Sequence, residues 1–216
     1  MKLTVFGASG GTGTHVVSQA LEAGHEVLAV VRDPARLTVP AHPRLEVTAA
    51  QVMDPAAIRS AVTGRDAVVS AIGPSRRPEE KKTRAAPVCT ASARSITTAM
   101  QAAGSRRLVV VSASGPFTDG DGPLLRYVAK PIVRRVLKDA FADFVAMEQV
   151  VQASGLDWTI MRPPALTDKP LTGRYRTRDG LNLRGGLTVC RADVAHLALA
   201  VADDPDSYRT AIYLAN

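Results

Sequence analysis

Leu3-Thr4-Val5-Phe6-Gly7-Ala8-Ser9-Gly10-Gly11-Thr12-Gly13 stands almost at the start of the chain. A short apolar run leads into glycines spaced G-x-x-G-x-x-G, and Val16, Val17, Ala20 and Leu21 follow at helical spacing. Strand, glycine turn and helix in that order make a phosphate-binding loop. Glycine lets the backbone turn sharply and approach a pyrophosphate, and the helix that follows points free N–H groups at it. Gly7, Gly10, Gly11 and Gly13 are therefore candidate pyrophosphate residues, with the hydroxyls of Ser9 and Thr12 as further donors.

Outward from this loop the pattern continues. Residues 26–31 (EVLAVV), 45–48, 66–72 (DAVVSAI), 108–112 and 157–161 read as further buried strands. Helices are expected between them: one opened by Asp54 as N-cap with Pro55 behind it, one over 86–103 closed by Gly104, and basic or mixed helices up to about 154. The class is α/β, a Rossmann-type doubly wound parallel sheet covered on both faces. Beyond Pro163-Pro164 the chain becomes shorter in its elements and more polar. A hairpin is expected near 173–178, a strand near 187–189, a helix to about 202 with Asp193 as its N-cap, and a last strand at 212–214. Asp168, in Asp168-Lys169-Pro170, reads as turn chemistry. This small C-terminal segment is expected to form the substrate side of the cleft. No stretch has linker composition and none repeats, so residues 1–216 form a single domain.

With 46% hydrophobic and 22% charged residues the chain can bury a core. It has no apolar run near the roughly 20 residues that span a bilayer, and no export signal is expected, which points to the cytoplasm. Cys89 and Cys190 read as small buried residues, and the scattered His15, His25, His42 and His196 have no metal-ligand spacing. No metal site is expected. The net charge of +7 gathers at Arg76, Arg77, Lys81, Lys82 and Arg84, and at Arg126, Lys130, Arg134 and Lys138, which recur every fourth residue as one helical stripe. Such a stripe is either a solvated face or an attractor of polyanions. Aromatic residues are 4% of the chain and, Tyr127 apart, none lies among the basic ones, so nucleic acid is not an expected partner. The charged segment 75–87 is either a solvent loop or a cover for the cleft.

The end of the second strand selects the nucleotide. An NAD site needs an acid there to bond the ribose hydroxyls. Here Arg32 comes first, then Asp33, with Arg36 shortly after. A guanidinium fork matches a 2′-phosphate and stacks on adenine, so the expected cofactor is NADP(H).

GASGGTG, VVRDPARL, DAVVSAIG, SGLDWTIMRPP, DKPLTGRY and Arg191-Ala192-Asp193-Val194-Ala195, in that order, resemble the atypical short-chain dehydrogenase/reductases. The chain is similar to the NmrA-like NAD(P)H-binding proteins and to the flavin reductase/biliverdin-IXβ reductase group. The resemblance implies that Gly7, Ser9, Gly10, Thr12 and Gly13 hold the pyrophosphate and Arg32 and Arg36 the 2′-phosphate. It places Gln51, Val52, Ile72 and Gly73 beside the adenosine, and Ser112, Pro163, Pro164 and Ala165 beside the nicotinamide. Gln51 stands where these proteins usually carry an acid.

Two departures from the resemblance bear on chemistry. The Tyr-x-x-x-Lys pair of short-chain dehydrogenases falls, counting back from Glu148, on Ala140 and Phe144. The histidine that follows Pro-Pro in the flavin/biliverdin reductases is Ala165, and their serine beside Ser112 aligns with Ala113. Ser112 is left as the candidate catalytic residue, or as a serine that simply ends a strand. Hydride transfer to a flat acceptor does not require the missing pair. The expected activity is that of an NAD(P)H-dependent oxidoreductase, a monomer that reduces a flavin, quinone or linear tetrapyrrole. The alternative is a non-catalytic NmrA-like NADP(H) redox sensor acting through a protein partner. A nucleotide-sugar or isoflavone-type reductase fits less well, because the chain has no room for a large substrate domain.

Overall fold

β1 (Lys2–Phe6) lies at the centre of the sheet because every residue from Leu3 to Phe6 is buried. A computed structural model of the chain describes residues 1–74, 87–123, 126–127 and 130–216. β1 pairs in parallel with β2 (Glu26–Val31) on one side and β4 (Ala67–Ser70) on the other. β3 (Leu45–Ala49) lies outside β2, while β5 (Arg107–Val111), β6 (Asp157–Arg162) and β10 (Thr210–Ala215) continue beyond β4. The order is β3-β2-β1-β4-β5-β6-β10-β8, parallel throughout except at the edge strand β8 (Arg176–Asp179). This is the Rossmann-type α/β sheet expected from the strand and helix alternation.

Two cores hold the layers together. α1 (Gly11–Glu22) and α6 (Arg191–Ala202) cover one face, where Val16, Val17, Val194 and Ala198 meet Leu3 and Val5. α2 (Pro55–Val62), α3 (Val88–Ala103) and α5 (Lys138–Gln152) cover the other, where Ile58, Ile96, Met100 and Val151 meet Phe6, Val68 and Ile160. Local signals set the ends of these helices. Asp54 accepts a 2.9 Å bond from Ala56 N with Pro55 at the first position, and Gly104 ends α3 at φ +72°.

Tertiary pairing overrides the local reading elsewhere. No hairpin forms near 173–178; β8 instead pairs antiparallel with β10, and β7 (Ala165–Thr167) pairs in parallel with β9 (Thr188–Cys190). The expected basic stripe is broken. α4 (Lys130–Val136) ends before α5 begins, and Lys130 is buried in an ion pair with Asp121 at 2.6 Å, so it is absent from the solvent face. Ala86 and the basic cluster from Arg76 to Arg84 lie outside the described residues, as does most of the segment 75–87.

One buried cation ties the far strands together. Arg107, 4% exposed, donates to Asp157 O at 2.7 Å, Thr159 Oγ1 at 2.7 Å and Ser207 Oγ at 2.9 Å. It also meets the carbonyls of Val201 and Ala202, where the negative end of α6 favours a cation. Burial pulls its pKa below the usual arginine value, and the Tyr208 ring stacks 4.5 Å away. Arg107→Leu should leave these acceptors unpaired and cost about 3 kcal/mol. Urea denaturation of the two proteins checks this, and an unchanged midpoint would contradict it.

Candidate functional site

The strand order reverses between β1 and β4, and in open α/β sheets the ligand crevice lies at the carboxyl ends of the strands at such a point. Gly7 leaves β1 at φ +74°, and a Cβ there would stand 2.9 Å from the Ala71 carbonyl carbon and oxygen. A Cβ on Gly13 would stand 2.1 Å from Gly7 O, so the start of α1 presses directly on the turn. The N-cap Gly10 supplies no side-chain cap, while its own N–H donates to Gly7 O at 2.9 Å. The first N–H groups of α1 therefore face the crevice without a side-chain partner, which suits a pyrophosphate. Ser9 is half-buried and Thr12 buried at the same turn.

The remaining candidates lie at or after the carboxyl ends of β2, β3 and β4. Ile72 is half-buried and Gly73 exposed just after β4; a Cβ on Gly73 would meet nothing within 4 Å. Arg32 and Arg36 are exposed after β2, Arg36 within the 3-10 turn Pro34–Arg36. Asp33 caps that turn by accepting from Ala35 N at 3.1 Å. Val52 is buried in the core beneath this end of the crevice and Gln51 beside it is exposed.

Ser112 follows β5, with its N–H bonded to Met161 O at 2.8 Å. Its Oγ lies 2.6 Å from Glu148 Oε1. Glu148 is buried in α5 and forms a two-point ion pair with Arg162 at the end of β6. A carboxylate so paired is ionised and only accepts, so Ser112 must give it the hydroxyl proton. Ser112 Oγ thus keeps lone pairs but has no proton left to give. Arg162 also donates to Tyr213 OH at 2.9 Å and lies 3.6 Å from the centre of the Phe117 ring. Burial lifts the Tyr213 phenol above its ordinary pKa, so it stays neutral at pH 7. The strand and helix pattern carried no sign of this network; an arginine ending an otherwise apolar strand was the available clue.

Ser114 N donates to Pro163 O at 2.8 Å, which fastens the β5 end to the Pro163-Pro164 turn. Pro163 is buried, Pro164 half-buried and Ala165 exposed at the start of β7. Ala140 and Phe144 are both half-buried on α5. Burial raises the thiol pKa of both Cys89 and Cys190, so neither is an activated nucleophile.

Asp193 is not the N-cap of α6. Cys190 holds that position, and its sulfur accepts from Asp193 N at 3.3 Å. Asp193 sits in the first helical turn, fully buried, and accepts from Thr172 N and Gly173 N at 2.9 Å each, from Thr172 Oγ1 at 2.7 Å and from Asn216 Nδ2 at 2.8 Å. Asp168 likewise does more than shape a turn, since it pairs with Arg191. Burial works to raise the Asp193 carboxyl pKa, but the bonds from Asn216 and Thr172 outweigh it and hold the group well below the usual carboxylate range. Its stabilising contribution is therefore present above about pH 4 and lost as pH falls through the native value. Asp193→Asn should cost about 2 kcal/mol at pH 7, with the gap to the parent narrowing below about pH 4. Denaturation midpoints across that pH range test it; a gap that widens in acid would refute the assignment.

Among the described residues no helix is long and apolar enough to cross a membrane. The chain is similar to YwnB of Bacillus subtilis, 25% identical over 212 residues that cover 95% of this chain and 94% of that protein. A short-chain dehydrogenase/reductase from Veillonella parvula, solved in complex with NADP, shares the fold at TM-score 0.79 and 20% identity, over 100% of this chain and 94% of that one. ChuY from Escherichia coli, described as an anaerobillin reductase, does so at TM-score 0.78 and 22% identity, over 100% and 97%. Its structural neighbours are thus NAD(P)-binding oxidoreductases. The sequence signature described as NAD(P)H-binding matches residues 7–205, and by that match the chain belongs to the NAD(P)H-binding family.

Proposed function

We propose that this protein is an NADPH-dependent reductase that passes hydride to a small flat acceptor, namely a flavin, a quinone or a linear tetrapyrrole. The observation that carries this reading is the commitment of the Ser112 proton to Glu148, combined with Ala140 and Phe144 where a tyrosine and lysine would act. A site without a proton donor beside the acceptor suits substrates that take hydride into a conjugated ring system and draw their proton from solvent. When bound, the reduced nicotinamide would supply two electrons in the form of one hydride. The chain's own part is to bind and orient. The turn from Gly7 to Gly13 holds the pyrophosphate, with Ser9, Gly10, Gly11 and Thr12 between. Arg32 and Arg36 hold the 2′-phosphate, and Gln51, Val52, Ile72 and Gly73 border the adenosine. Ser112 accepts a hydrogen bond from the carboxamide N–H, while Pro163, Pro164 and Ala165 border the ring. The protein acts as a cytoplasmic monomer. The fold shared with an anaerobillin reductase supports the tetrapyrrole member of the acceptor class.

A redox sensor that binds NADP(H) and signals through a partner is the second reading. It is favoured by the apolar side chains beside the arginines of α4: Tyr127, Ile132 and Val136 are 71%, 64% and 77% exposed.

Purified protein mixed with NADPH should consume it, followed by absorbance, when FMN, riboflavin, a small quinone or biliverdin is added. Tight NADPH binding without oxidation for any acceptor would favour the sensor instead. Arg32→Ala should weaken NADP(H) about tenfold or more while changing NAD(H) little. Equal losses for both nucleotides would refute the role of Arg32.

A further inference from the structure

Arg191 has no part in the site assembled above, yet its side chain reaches into it. It is the first residue of α6, with a side chain only 6% exposed. A Cβ built on Gly11 would meet Arg191 Cδ at 2.8 Å and Nε at 2.9 Å, with Cζ at 3.8 Å. Gly11 is the first residue of α1. The guanidinium therefore lies where the N-terminal ends of α1 and α6 converge. Gln19 Nε2 on α1 donates to Ala192 O at 2.9 Å, which ties α1 to the start of α6.

Asp193 answers the start of α6, but the uncapped start of α1 has no acid in its first turn and stands beside a buried cation, so this end of α1 calls for an anion. In the structure the counter-charge is Asp168, joined to Arg191 through Nη1, although the Asp168 side chain is 83% exposed. Such a carboxylate is well solvated on its own and easily replaced as a partner. The absence of a side chain at residue 11 also gains a reason beyond backbone approach, because any Cβ there would displace the arginine.

We infer that Arg191 is a ligand for the pyrophosphate of the dinucleotide, released by Asp168 when the cofactor enters. This rests on the reading of the crevice as a dinucleotide site. It assigns to the C-terminal segment a cofactor-binding role distinct from that of Arg32, since the pyrophosphate is common to NADP(H) and NAD(H) while the 2′-phosphate is not. Because Asp168 follows β7, loss of its partner also frees the loop behind Pro163, Pro164 and Ala165, so cofactor entry is coupled to the acceptor side of the cleft.

Calorimetric titration with NADP+, NAD+ and 2′-AMP tests the inference, since 2′-AMP carries the adenosine and 2′-phosphate without a pyrophosphate. Arg191→Ala should weaken NADP+ and NAD+ by one common factor, about tenfold or more, and leave 2′-AMP unchanged. Arg191→Lys should recover part of the loss, and Asp168→Asn should tighten both dinucleotides. Gly11→Ala, which pushes the arginine aside and also adds a Cβ to the turn, should lose both dinucleotides at least as strongly, while unchanged 2′-AMP binding guards against misfolding of Arg191→Ala. Unchanged dinucleotide binding in Arg191→Ala and Gly11→Ala would overturn the role of Arg191 alone. An equal loss of 2′-AMP would show general damage to the site and overturn it as well. Failure of the parent protein to bind either dinucleotide would instead overturn the reading of the crevice itself.

Discussion

A Cβ on Gly13 would lie 2.1 Å from the carbonyl oxygen of Gly7, and the missing atom allows helix α1 to begin directly against the end of β1. The rest of the cleft depends on that contact. Gly7 can then turn at φ +74° and lie against Ala71, which brings the loops after β1 and β4 together at the floor of the crevice. The same contact sets where α1 stands relative to α6. With Gly10 as a cap lacking a side chain, the first-turn N–H groups of α1 are left for a ligand. Larger residues at positions 7 and 13 would separate strand from helix and dissolve the anion site with them.

Above this floor the structure is organised by buried guanidinium groups, each with a definite set of acceptors. An unpaired buried charge is costly, so such a group tolerates few arrangements of its neighbours. Arg107 locks β5 and β6 to the end of α6 and to Ser207. Arg162 holds Glu148, Tyr213 and Phe117 in one stack and through Glu148 sets the direction of the Ser112 hydroxyl. Arg191 stands over the start of α1. The glycines bring α1 against β1 by withdrawing atoms; the arginines position strands, a hydroxyl and a helix end by demanding partners.

The C-terminal segment shows a comparable economy. Asp193 gathers Thr172, Gly173 and Asn216 around one carboxylate, which joins the start of α6 to the loop after β7 and to the last residue beyond β10. The β7–β9 pair and the edge pairing of β8 with β10 complete this side of the cleft. Between β7 and β9 the residues are polar and mostly exposed, so hydrogen bonds and ion pairs there replace the apolar burial that orders the sheet centre.

The legible parts of the sequence were those governed by near neighbours in the chain. The buried strands of the central sheet followed from continuous runs such as EVLAVV, the caps at Asp54 and Gly104 from residue type and place, and the tight turn from β1 into α1 from glycine spacing. Where partners are distant in the chain, the local pattern misled or was silent. A hairpin was read near 173–178 because turn residues say nothing of which strand will pair, and β8 found β10 instead. Asp193 had the position and type of a cap, yet its acceptors were claimed by Thr172, Gly173 and Asn216. The even spacing of Arg126, Lys130, Arg134 and Lys138 described a stripe only until Lys130 turned inward to Asp121. The sequence by itself determined the sheet, its parallel crossovers and the glycine turn from β1 into α1, because backbone sterics and apolar periodicity act over a few residues. Tertiary structure alone decided that Ser112 gives its proton to Glu148 and that Arg191 reaches Gly11, because those meetings depend on how α5, β6 and α6 dock on the finished sheet.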